Sequence, residues 1–199
     1  GIVAKNELIH DRKVNNKCRK FIRGGDVKRY RVEYNNEYIE YDRDRIHRAR
    51  PDELWRARKK IFIQRISGGK KPLVCSVDEN KYLSFASTNV LLLLEEFEKN
   101  YSYEVICTLL NSKLINYFYS KTFSNGSELT VNISTSYLEE IPIPKKNSHT
   151  SKIFNEINKV YNKEIDKNLN YETNTLDELV YALYDLNKEE QTFVDNYFL

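Results

Sequence analysis

The side chains of this chain that could do chemistry are mostly cations. "RARKKIFIQRISGGKKPLVCSV", residues 56–77, sets seven Lys/Arg around a short apolar run and a Gly-Gly pair. Three uses fit such a stretch: a loop that cradles nucleotide phosphates, a hairpin that grips nucleic acid, or a solvated turn. The first fails on spacing. A phosphate loop needs GxxxxGK, then Ser or Thr, then a helix whose N-terminus holds the anion. Here Lys71 follows Gly69-Lys70, Gln64 stands five positions before Gly69, and Pro72 leads into a strand pattern. No GxGxxG, HExxH or GxSxG pattern occurs. The acid pairs Asp42/Asp44 and Glu139/Glu140 are the material for a metal-dependent nuclease. Asp42 and Asp44, however, sit among Arg43, Arg45, Arg48 and Arg50, which reads as a solvated mixed-charge segment, and the PD…(D/E)xK order is missing. Cys18, Cys75 and Cys107 are widely spaced and the chain has 3 His, which argues against zinc.

What remains is basic residues interleaved with aromatics, and their distribution is uneven. Residues 1–71 hold 21 Lys/Arg and 10 Asp/Glu, a surplus of +11, against a whole-chain charge of +3. A basic first third on a near-neutral protein points to a polyanion-facing side; the alternative is cations that solvate strand edges. The 15 Tyr suit half-buried strand and interface positions. An odd cysteine count with no signal-peptide pattern predicts reduced thiols and a cytoplasmic location. The apolar run at 90–94 is far too short to span a membrane. The absence of Met fits a fragment or a processed chain.

The elements that must position these cations are legible in outline. "FIRGGDVKRYRVEY" reads as a Gly-Gly turn followed by an alternating strand, with Arg29 and Arg31 on one side and Tyr30 and Val32 on the other. "RPDELWRARKK" reads as a short helix with Pro51 near its start and Asp52 and Glu53 in its first turn. Strands over 61–66, 73–77 and 82–86 form a meander with turns at Gly68-Gly69 and 78–81. "TNVLLLL" reads as a strand buried on both faces. The expected class is α+β, with a twisted, mostly antiparallel sheet or partly open barrel, inserted helices and a C-terminal helical appendage. Helical spacing begins at "SYEVICTLLNSKLINYFYSKTF", with Asn111-Ser112 ending one helix and capping the next. The recognition part is expected over 1–146 and the helical segment over 147–199, the latter with capping boxes at Thr175–Glu178 and Asn187–Glu190.

On this reading Arg65 lies near the end of a strand, with Lys70 and Lys71 at the hairpin tip. A two-stranded ribbon of this kind enters the major groove, about 12 Å wide. Arg then reads guanine edges while Lys positions the protein on phosphate. A solvated tip explains the same residues equally well.

The order of segments resembles a known group. "FIRGGDVKRY" is similar to its lrG-D-i-rY element, "KKIFIQRIS" to its K-I-hydrophobic-x-x-R-I strand, and "LLNSKLINYFYSKTFSNGSELTVNISTSYLEEIPIP" to its Leu-Asn-Ser-Lys-Leu helix, loop and closing I-P-I-P. "DELVYALYDLNKEE" resembles the helix that commonly follows. The group is the TaqI-like C-terminal specificity domain of bacterial restriction-modification adenine methyltransferases and of single-chain enzymes that also carry a nuclease. The resemblance implies a target recognition domain for double-stranded DNA. A methyltransferase domain of the same parent chain would use S-adenosylmethionine, and a fused nuclease would use Mg²⁺. The Asn-Pro-Pro-Tyr motif of such a catalytic domain is missing here, so no catalytic or cofactor-binding residue is expected in this chain. The DNA-facing residues it implies are Arg23, Asp26, Arg29, Arg65, Lys70, Lys71, Ser127 and Asn132. Local alternatives stand beside them: a salt bridge between Arg23 and Asp26 across the Gly-Gly turn, and a plain surface loop for Ser127 and Asn132. A second reading is an assembly module of a multi-subunit restriction system's specificity subunit, docking through the acidic helical C-terminus.

Overall fold

The computed structural model describes residues 1–124, 130–165 and 174–199. Its strands are β1 (Ile9–His10), β2 (Cys18–Ile22), β3 (Val27–Lys28), β4 (Arg31–Val32), β5 (Tyr38–Glu40), β6 (Lys60–Gln64), β7 (Ile66–Ser67), β8 (Cys75–Asp78), β9 (Leu83–Ser84), β10 (Thr88–Leu91) and β11 (Val131–Asn132). Its α-helices are α1 (Asp52–Arg56), α2 (Glu95–Glu98), α3 (Tyr103–Asn111), α4 (Lys113–Phe123), α5 (Thr135–Glu139), α6 (Ser148–Ile165), α7 (Asn174–Leu183) and α8 (Lys188–Tyr197). The class is α+β as expected. The strands form several small sheets, none closed into a barrel: β1-β5-β2-β9, β10-β6-β8, β11-β7 and β3-β4.

Two hydrophobic clusters share β6 as a wall. Alternation along "KIFIQ" sends Ile61 and Ile63 to one cluster, with α3, α4, α6 and α7. Phe62 goes to the other, with Trp55, Phe21, Ile22 and Ile39. Lys60, Ile61, Phe62 and Ile63 are all buried. A buried cation in such a strand needs a partner, and the register supplies one. Lys60 lies opposite Asp78 on β8, with Nζ and Oδ2 2.6 Å apart and both side chains fully buried. Burial lowers the Lys60 pKa against the pull of Asp78. Phe154, Ile157, Tyr161, Leu176, Val180 and Leu183 from α6 and α7 belong to the same core as β6 and β8.

Three local expectations are corrected. "VKRYRVEY" is not one alternating strand: Tyr30 has φ 67° and folds the chain into a tight hairpin, with Val27 opposite Val32 and Lys28 opposite Arg31. The left-handed turn costs about 1–2 kcal/mol. It is offset by tertiary contacts, since the Tyr30 N–H donates to the Cys75 carbonyl at 2.9 Å and its ring meets Tyr161 edge-on. The meander also breaks. β9 leaves β8 to pair in parallel with β2, and β10 takes the free edge of β6. Finally, "TNVLLLL" is not buried on both faces. Its strand stops at Leu91, and Leu92 and Leu94 are 38% and 62% exposed.

The helical segment is capped largely as its sequence demands. Ser102 and Ser112 accept from Val105 N and Ile115 N at the starts of α3 and α4. The Asn187–Glu190 box closes α8 in both directions. Thr175 does not start its helix, because α7 already includes Asn174. Among the described residues no helix is long and apolar enough to cross a membrane.

Candidate nucleic-acid interface

The hairpin is not a protruding ribbon. β6 and β8 pair from Lys60↔Asp78 to Ile63↔Cys75, and the ten residues between Gln64 and Cys75 fold over as a loop. Gly69, with φ 75°, supplies the turn. Asn116 Oδ1 accepts from Leu73 N at 2.8 Å, and Ser120 Oγ donates to the Lys70 carbonyl at 3.2 Å. Asn111 acts as a side-chain strand: its amide accepts from Cys75 N at 3.1 Å and donates to Cys75 O at 2.9 Å. Of the Asn111-Ser112 pair, therefore, Ser112 caps a helix while Asn111 satisfies the edge of β8.

Arg29 belongs to this same clamp. Its Nη2 donates to the carbonyls of Lys71 and Leu73 at 2.7 and 3.3 Å, and burial lowers its pKa. Asp26 is buried and accepts from Arg23 N at 2.7 Å and from Asn35 Nδ2. Arg23 turns the other way. Its Nε and Nη2 donate to the two oxygens of Glu37 at 2.7 and 3.1 Å, and its guanidinium lies 5.6 Å from the Phe85 ring centre. Hydrogen bonding to Glu37 raises its pKa. The Gly-Gly turn is thus held by Asp26 bonding the Arg23 backbone, while the Arg23 side chain pairs with Glu37. Gly24 fits here because a Cβ would lie 2.5 Å from the Ser87 carbonyl.

Arg65 occupies a switch between two ladders. Its N–H donates to Ser87 O at 2.9 Å and its carbonyl accepts from Ile133 N at 2.7 Å. One residue earlier the strand pairs with β10, and one residue later β7 pairs with β11, with Asn132 opposite Ile66. Both backbone groups being committed, the exposed side chain is fixed at its root, and Nη1 reaches Ala86 O at 3.4 Å. Arg65 and Asn132 line one cleft of about 260 Å³ together with Arg48, Arg50, Asn89, Ser134 and Thr135. Arg48 is held by paired backbone bonds with Val3 at 3.1 and 3.2 Å, and the Arg50 carbonyl accepts from Tyr41 OH at 2.8 Å. Asn89 Nδ2 donates to Ile133 O at 2.7 Å, tying the β10 floor to the β11 wall.

Among the described residues no acid lines this cleft. Among the described residues, no carboxylate lies within ion-pair distance of Arg48, Arg50 or Arg65. Three guanidinium groups without counter-charges form an anion-attracting recess. Lys70 and Lys71 lie elsewhere, over the rings of Tyr197 and Phe198 at 5.9 and 5.1 Å. Ser127 lies outside the described residues. Sequence reasoning passed over Arg48 and Arg50 by averaging them with Asp42 and Asp44. The signal was present: after Asp44 the run "RIHRAR" has three arginines and no acid before Asp52.

An α+β module with a recessed cluster of unpaired arginines is of the polyanion-binding class. The family comparison makes this specific. The model of the TaqI-like C-terminal specificity domain matches residues 19–143, more than half the chain. The chain belongs to that family, the DNA-sequence specificity domains of restriction-modification enzymes. The match includes Arg48, Arg50, Arg65 and Asn132 and ends before α6. No curated protein matches the chain.

Proposed function

We propose that this domain reads a specific duplex sequence through the Arg65 cleft and presents it to a methyltransferase domain of the same parent chain. The single observation that carries the reading is the convergence of Arg48, Arg50 and Arg65, none of them in an ion pair among the described residues, beside the exposed Asn132. Arg forks onto guanine O6/N7 and Asn onto adenine N6/N7 in the major groove. Arg65 and Asn132 therefore read bases, and Arg48 and Arg50 hold phosphates. Lys70 and Lys71 add positive charge beside the folded-over loop. Asp26 and Arg29 set the turn and loop near Arg65, while the Arg23 side chain is held by Glu37. The parent's catalytic part flips the target adenine. S-adenosylmethionine supplies the methyl group there, and Mg²⁺ would serve a nuclease if one is fused.

Selection of bound duplexes from a randomised library tests this. The chain should enrich a defined short motif, and Arg65→Ala should lose preference at one base pair of it. Retention of DNA with no enriched motif would show that the cleft grips without reading.

A further inference from the structure

Farther along β10 and α5, "VLLLLEEFEK" leaves an apolar groove uncovered. Leu91–Leu94 in sequence, with Phe97, Tyr101, Leu138, Ile141 and Ile143, line a groove of about 350 Å³ that carries no charged side chain. Leu92, Leu94, Phe97 and Ile143 are 38%, 62%, 45% and 36% exposed. Isolated exposed apolar residues are ordinary, but a contiguous set in a concave groove marks a contact surface. The flanks are acidic. Glu95, Glu96 and Glu98 follow one set of lining residues and Glu139 and Glu140 sit between Leu138 and Ile141; all five are exposed. Among the described residues none of the five lies within ion-pair distance of a cation. Lys99, Lys145 and Lys146 gather at the Ile143 end, where Lys146 Nζ donates to the Lys99 carbonyl at 2.9 Å. Arg58 and Lys59 adjoin the groove on the Leu92–Leu93 side, beside Glu98, so the flanks at Glu95–Glu96 and Glu139–Glu140 are negative and the rest is mixed.

We infer that this groove docks an amphipathic helix of a partner protein, with an apolar stripe in the groove and Lys/Arg along its flanks. An apolar groove takes such a stripe at i, i+3, i+4 and i+7 spacing. The unpaired carboxylates on both walls select the sign of the flanks.

The test uses the full chain and two synthetic helical peptides with the same leucine stripe, one flanked by Lys and one by Glu. The Lys peptide should bind about tenfold or more tighter than the Glu peptide. Leu94→Asp/Phe97→Asp should abolish binding of both. Glu95→Lys/Glu96→Lys/Glu98→Lys should reverse the preference. All five positions are exposed, so circular dichroism and the unfolding midpoint should match the parent chain and separate a lost site from a lost fold. Equal binding of the two peptides, binding that survives Leu94→Asp/Phe97→Asp, or concentration-dependent self-association lost in that variant would overturn the inference, the last by naming a second copy as the occupant.

Discussion

Two sets of arginines lie within the first third of the chain, and their surroundings differ completely. Around β2–β5, cations are consumed by the fold: Arg23 by Glu37, Arg19 by Asp52, Arg31 by Glu33 and Lys17 by Asp42. Lys60 is buried against Asp78, and Arg29 is spent on two carbonyls. Around the β10–β11 cleft, Arg48, Arg50 and Arg65 meet no carboxylate among the described residues. A surplus of +11 over residues 1–71 therefore points to a polyanion-facing side without saying where it is. Pairing locates it. A guanidinium already holding a carboxylate must give up that partner to take a phosphate, while Arg50 and Arg65 give up only a long bond to a backbone carbonyl, at 3.3 and 3.4 Å.

The comparison can be broken from either side, and the largest effects belong to the paired side. Asp78→Ala strands a buried ammonium and should cost about 3–5 kcal/mol of stability, read by denaturant titration. Combining it with Lys60→Met should recover most of that loss; if the double variant is no better than Asp78→Ala, the pair is not the buried unit described here. Arg29→Ala removes two charge-assisted bonds from the loop at 71–73 and should cost about 1.5–3 kcal/mol by the same titration. Duplex binding should weaken only as far as the loop loosens.

On the unpaired side the expected effect moves from stability to binding. Arg65→Ala should leave the unfolding midpoint nearly unchanged and weaken duplex binding by about 1–3 kcal/mol, roughly 5- to 150-fold, in fluorescence anisotropy. A large fall in stability instead would move Arg65 into the structural set. The smallest effect is expected for Arg23→Ala, whose half-exposed pair with Glu37 is worth about 0–1 kcal/mol, with duplex affinity unchanged.

Much of this was readable in the sequence, for reasons specific to each segment. "KKIFIQRIS" announced a strand by its β-branched run, and "SYEVICTLLNSKLINYFYSKTF" announced two helices with a serine between them. The ordered resemblance to the specificity-domain family holds over residues 19–143. What was not legible depended on tertiary partners. Tyr30 enters a left-handed turn because Cys75 and Tyr161 receive it, and nothing within "VKRYRVEY" encodes either. "TNVLLLL" looked like core because apolar content does not distinguish a buried strand from an uncovered groove. Lys60 looked like one more surface cation until the register placed Asp78 opposite it. Of the residues that line the candidate cleft, Arg65 and Asn132 stand on family segments, whereas Arg48 and Arg50 come from a separate segment that only folding brings beside them.

The most direct test of the pairing account is the salt dependence of duplex binding, measured for the parent chain, Arg48→Ala/Arg50→Ala and Arg23→Ala. Each phosphate neutralised contributes about −0.9 to the slope of log K against log salt. The double variant should be shallower by about 2, and Arg23→Ala should retain the parent slope. A parent slope retained by the double variant, or lost on replacing Arg23, would contradict the assignment of the arginine cleft as the DNA-facing surface.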